Sequence, residues 1–120
     1  KRIGGGYMSN ISITLCKIPT EENSDSLYVK VKNMNQELSR QITINAYSEN
    51  SPIKESLPVY VDTLPTQIDT LEPETEKTYR IDVSNLKGKV IFEITQKMGS
   101  SGIRTLKNSN NPSLVELHLK

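Results

Sequence analysis

From Ile11 onward apolar and polar residues alternate with a period of two, and no segment holds a 3.6-residue apolar stripe for three turns. The pattern predicts strands throughout. Residues 11–18 set Ile11, Ile13 and Leu15 on one face and Ser12, Thr14 and Cys16 on the other, and the run ends at Pro19. Residues 27–31 alternate Leu27, Val29 and Val31 with Tyr28, Lys30 and Lys32, the mark of one buried and one wet face. After a turn at 33–36, residues 41–48 place Ile42, Ile44 and Ala46 inward and Thr43, Asn45 and Tyr47 outward. Pro58 and Pro65 each delete a ladder donor, so the short runs at 59–61 and around 67–70 are expected at edges or bulges. Residues 77–83 put Tyr79, Ile81 and Val83 on one face. Residues 89–97, the most apolar run, predict a central strand with Val90, Phe92 and Ile94 facing one way and Ile91 the other. A short strand is expected at 103–106, and a last one at 113–119, where Val115, Leu117 and Leu119 alternate with Glu116 and His118. Seven to nine short strands over this length predict an all-β fold, a single antiparallel β-sandwich of jelly-roll or immunoglobulin-like type.

Ahead of the first strand lies a different kind of segment. Gly4, Gly5 and Gly6 form a swivel, because three residues without a Cβ roam φ/ψ space freely. They divide the chain into an N-terminal arm, 1–10, and a sandwich domain, 11–120. Fully extended, ten residues reach ~33 Å. Ile3, Tyr7 and Met8 are the apolar anchors such an arm offers, and the glycines are its hinge. A sandwich has edge strands with unpaired N–H and C=O groups, which an incoming strand satisfies while burying alternate side chains. The arm therefore predicts head-to-tail assembly through a non-closing interface, against the plainer expectation of an unstructured terminus or an expression leftover. The chain opens on Lys1 rather than Met, so a longer arm upstream is expected.

Composition narrows the partners. At 120 residues and 13.5 kDa the chain has room for one core, and with a single Phe and no Trp that core must be aliphatic and thin. Burial against a partner would help it. Fifteen basic residues balance fourteen acidic ones to a net charge of +1, with no Lys/Arg run longer than two, which argues against nucleic acid as a partner. No stretch approaches the ~20 apolar residues of a membrane span, so no membrane insertion is expected. Cys16 is the only cysteine; it reads as a small apolar strand residue, with an intermolecular disulfide as the other option.

Candidate chemistry is sparse, and no catalytic, cofactor-binding or metal-ligating residue is expected. His118 is the only histidine, and neither a metal site nor a nucleophile–base pair can be assembled around it. It reads as an exposed strand residue. The acidic groups Glu21, Glu22, Asp25 and Glu72, Glu74, Glu76 lack the spacing of a calcium loop and read as solvated turns. Leu64-Pro65-Thr66-Gln67 lacks the Thr-Gly pair and C-terminal apolar tail of a sortase signal. Asn10-Ile11-Ser12 is an acceptor sequon that matters only in a glycosylating host. Tyr28, Tyr47 and Tyr60 fall on the polar faces of their runs and predict an exposed aromatic face, either a contact surface or simple cross-strand packing.

Residues 27–96, with their polar turn at 33–36, the Leu71-Glu72-Pro73 turn and the strand Tyr79-Arg80-Ile81-Asp82-Val83, resemble small β-sandwich proteins of Bacillus-type bacteria. A flexible arm ahead of a jelly-roll is similar to the endospore-appendage (Ena-type) fibre subunits, which link through N-terminal connectors. The resemblance implies a non-enzymatic structural subunit, extracellular on a cell or spore surface, whose partner is itself, with an anchoring or tip protein at the fibre's end. The best-known type of that family uses connector cysteines. This arm has none, so only strand donation carries over. A monomeric adhesive or ligand-binding sandwich, acting through the tyrosines or the 98–112 loop, and a phage or virion structural protein are the alternative expectations.

Overall fold

The computed structural model describes residues 11–20, 25–84, 86, 88–97, 103–107 and 114–119, without the side chains of 97, 103–107 and 114. The alternating runs form ten strands: β1 (Ile11–Pro19), β2 (Ser26–Asn33), β3 (Arg40–Ser48), β4 (Val59–Val61), β5 (Leu64–Pro65), β6 (Ile68–Leu71), β7 (Glu76–Asp82), β8 (Lys89–Lys97), β9 (Ile103–Lys107) and β10 (Leu114–Leu119). A four-stranded sheet runs β1-β8-β3-β6, and a six-stranded sheet runs β5-β4-β7-β2-β10-β9. Four antiparallel pairs nest inside one another: β4 with β5, β3 with β6, β2 with β7, and β1 with β8. The strand read as central, β8, lies between β1 and β3.

Two features depart from expectation. The sandwich is not wholly antiparallel, because β10 runs parallel to β2 and antiparallel to β9. The chain is far from β2 in sequence by the time it reaches β10, so no tight turn imposes the antiparallel sense. The second departure is β5, a two-residue strand outside the expected runs, although its place agrees with the edge position that Pro65 implied. It closes a hairpin with β4 through Asp62, whose φ is 56°, and it lies at the sheet's rim, where a missing N–H costs no ladder bond.

The inward faces of the two sheets enclose one aliphatic core. Cys16, Ile18, Ile42, Ile44, Ala46, Leu71, Val90, Phe92 and Ile94 come from one sheet, and Leu27, Val29, Val31, Val59, Tyr79, Ile81, Val115, Leu117 and Leu119 from the other. Tyr79 and Phe92 meet across the layers with ring centroids 6.4 Å apart, within the range of favourable tilted aromatic pairs. Cys16 is buried.

Register decides which face of β1 is inside. Cys16 stands opposite Phe92 and Ile18 opposite Val90, so the even-numbered residues share the core side of β8. Ile11, Ile13 and Leu15 are thereby turned to the outside, at 54%, 61% and 54% exposure. Gly88 closes the far end of this pair. Its carbonyl accepts from the Thr20 N–H at 2.9 Å and the Thr20 hydroxyl at 2.7 Å, and its φ of +100° suits a residue without a Cβ.

Candidate functional site

The two outer faces of the sandwich differ in chemistry. On the six-stranded sheet the outward positions of β7, β2 and β10 include Arg80, Asp82, Lys30, Lys32, Glu116 and His118. Arg80 lies opposite Tyr28 on one side and Tyr60 on the other, with its guanidinium 4.5 Å from the Tyr60 ring centroid, a cation–π contact. His118 Nε2 lies 2.6 Å from Glu116 Oε2, and its side chain is mostly buried rather than the exposed one expected. Charges of both signs hold water on this face.

On the four-stranded sheet the cross-strand rows join β6, β3, β8 and β1. One runs Ile68, Thr43, Thr95, Ile13; the next ends on Asn45, Glu93 and Leu15. The outward positions are mostly neutral, and the exposed aliphatics Ile11, Ile13, Leu15 and Ile68 occupy its two edges. Lys17, the lysine on the same face of β1, is turned to Glu49, with Nζ 2.8 Å from the carboxylate. That contact holds the Glu49 carboxyl below the ordinary glutamate range and the Lys17 amine above its own.

The hydrogen-bond phase of the sheet adds a second property to the same residues. Thr20 donates directly to its opposite residue Gly88, so Thr20 and Gly88 form a bonded pair of the antiparallel ladder. Alternation then directs the amides of Ser12, Thr14, Cys16 and Ile18 toward β8, and those of Ile11, Ile13, Leu15 and Lys17 toward the rim. The bond from Glu49 N–H to the Lys89 carbonyl fixes the same phase from the other side of β8, whose odd-numbered residues bond β3. Among the described residues no strand pairs with that rim of β1. Ile11, Ile13 and Leu15 therefore combine exposed aliphatic side chains with edge-facing backbone donors and acceptors.

At the other edge of the same sheet β6 covers only the first half of β3, and Ser56 and Leu57 take up the far end. Between them lies a cleft of about 210 Å³ lined chiefly by Ile44, Leu57, Pro58, Val59 and Pro65. It lies beside the middle of β3, where the Ile44 N–H donates to the Gln67 carbonyl and the Ala46 carbonyl accepts from the Leu57 N–H, each at 2.7 Å.

The predicted aromatic face is corrected. Tyr28 and Tyr60 share the six-stranded sheet and flank Arg80, but Tyr47 belongs to the opposite sheet and is 5% exposed. The 49–58 segment returns over it, with a β-bridge to Ser56 and the Lys54 amine 5.7 Å from its ring centroid. The polar side of a strand is not open when a loop folds back on it. Ile3, Gly4, Gly5, Gly6, Tyr7 and Met8 lie outside the described residues, as do Glu21 and Glu22. Glu72 and Glu74 are exposed on the turn before β7 and Glu76 is exposed as its first residue, and among the described residues no group of three or more His, Cys, Asp or Glu side chains converges on a metal position.

One polar cluster had no sequence signal. Asp69 on β6 accepts from Lys77 Nζ at 2.9 Å and from the Tyr79 hydroxyl at 2.8 Å, joining the two sheets at their rim. Burial raises the Asp69 carboxyl, but the bonds from Lys77, Tyr79 and the Thr70 amide outweigh it, and the group lies below the ordinary aspartate range. Burial first, and then the bond to Asp69, push the Tyr79 phenol upward. The three groups form a clasp; the partners sit on different sheets, so only the folded register brings them together. Comparison of the chain with protein-family models, with curated proteins and with solved structures finds no match in any of the three.

Proposed function

We propose that this chain is a non-enzymatic structural subunit of a bacterial cell- or spore-surface fibre, outside the cell, that polymerises head-to-tail by donating its N-terminal arm to the sheet of the next copy. The observation that carries this reading is the placement of β1. The arm leads directly into an edge strand of the four-stranded sheet, while the opposite edge of that same sheet ends on the four-residue β6 and holds the cleft beside β3. A donor tethered at one edge and an acceptor at the other repeat without closing. The cleft is of a size for one arm anchor, Tyr7 or Ile3. The nested pairing of the first eight strands supports a jelly-roll winding, a fold that hosts many functions.

Deleting residues 1–7 and measuring size by light scattering tests it. The full chain is expected to form long species and the deleted chain none. Monomers in both samples would overturn the reading and turn attention to a ligand-binding module. The Tyr60–Arg80–Tyr28 row favours that second reading, since a cation between aromatic rings on a wet face is a ready platform for an anionic or planar ligand. An anchoring or tip protein at the fibre's end would meet the arm or the cleft left free there.

A further inference from the structure

We infer that β1 is a second, two-fold contact, in which the rim of one copy pairs antiparallel with the same rim of another about Ile13, joining two four-stranded sheets into one. This contact is independent of arm donation, which uses the opposite edge.

Three observations converge on it. First, the amides of Ile11, Ile13, Leu15 and Lys17 face the rim, as the bonded pair of Thr20 and Gly88 requires, so an incoming antiparallel strand must match odd-numbered residues with odd-numbered ones. Second, the side chains of Ile11, Ile13 and Leu15 are each more than half exposed on one face. Of the registers the amide phase permits, only the one centred on Ile13 sets all three against one another, Ile11 opposite Leu15 of the second copy and Ile13 opposite Ile13. A shift toward the C-terminus puts Ile11 opposite Lys17, and a shift the other way takes Leu15 beyond the strand. Third, the usual guard of an open edge is absent. Protected edges carry lysines, prolines or bulges, but Lys17 is engaged with Glu49 and the proline comes only at Pro19, where the strand ends. No charge lies between Ile11 and Leu15, so the two-fold brings no like charges together.

The occupant is a second copy rather than a foreign strand because the row is its own complement. A contact this short buries less than the ~1,200 Å² at which standard interfaces begin, so association is concentration dependent in isolated subunits.

Sedimentation equilibrium of the full chain with residues 1–7 deleted, over a wide concentration series, is expected to show a monomer–dimer equilibrium. Ile13→Lys places two lysines opposite each other and raises the dissociation constant at least about tenfold, whereas Ile68→Lys at the other edge leaves it unchanged. Both positions are exposed, and circular dichroism checks that the fold persists. The register is read by cross-linking in a Cys16→Ala background. Bonded antiparallel pairs place Cα atoms ~5.5 Å apart, within disulfide range. Ile13→Cys is expected to oxidise to a covalent dimer, Ile11→Cys alone is not, and an equimolar mixture of Ile11→Cys and Leu15→Cys is. A chain that stays monomeric throughout the series, an Ile68→Lys effect equal to that of Ile13→Lys, or cross-links from Ile11→Cys alone would overturn the inference. Ile13→Lys in the full chain leaves arm-dependent polymers intact, so failure here and failure of the fibre reading are told apart.

Discussion

Asn33 and Gln96 are both amides with no exposed surface, and they have opposite surroundings. Asn33 ends β2, donates to the carbonyls of Leu38, Leu71 and Glu72, and accepts from the Asn35 N–H, tying the 34–38 turn to the end of β6. Gln96, between Ser12 and Ile42 in the ladder, has no hydrogen-bond partner for either amide atom among the described residues. A buried polar group without partners costs roughly 1–3 kcal/mol, while removing one member of a satisfied set leaves the others unpaired at similar cost. Asn33→Leu is therefore expected to destabilise by at least about 2 kcal/mol, and Gln96→Leu to stabilise by about 1 kcal/mol. Urea unfolding checks both, as shifts of midpoint in opposite directions at constant slope. Gly88→Ala is expected to cost about 1–2 kcal/mol, because the added Cβ lies 3.1 Å from Asn50 Nδ2 and the φ of +100° is strained for any other residue.

At the scale of elements, the Asp69–Tyr79–Lys77 clasp is an ionisable polar tie between the sheets, and its pH dependence has a definite sign. The Asp69 carboxyl is more acidic folded than unfolded, so its contribution is complete above the ordinary carboxylate value, ~4, and is lost as pH falls through the lowered folded value. Asp69→Asn is expected to flatten that acid limb of a stability–pH curve while leaving the neutral limb's shape unchanged. Tyr79→Phe, which keeps the ring against Phe92, is expected to cost about 1–2 kcal/mol at neutral pH and much less in acid. None of this was legible beforehand, because a contact between β6 and β7 side chains depends on how two sheets face each other. Strand existence was legible, since period two survives in every long run. Strand phase was legible only where polar residues marked the wet side; in β1 both faces carry apolar residues, and the partner strand, through Phe92 and Val90, made the choice. Tyr47 was misplaced for the converse reason: its strand face was read rightly, but the loop that buries it has no periodic pattern.

For the whole molecule, the nested pairing means that the contacts holding β1 to β8 and β2 to β7 join distant parts of the chain. Closing such loops before their contacts form is slow, and folding in the millisecond-to-second range is expected, as for other sandwich topologies. Stopped-flow refolding checks this, and microsecond folding would show that the nested pairs do not limit the rate.

The two-residue β5 has a consequence at this scale. It ends one rim of the six-stranded sheet on Leu64 and Pro65, a stub too short to template a neighbour and lacking one of its N–H groups. The two rims of this layer are thus unequal: β5 stops one of them, while the five-residue β9 ends the other. Edge-to-edge growth of the charged layer would therefore stop at the β5 rim, which leaves that layer one-sided.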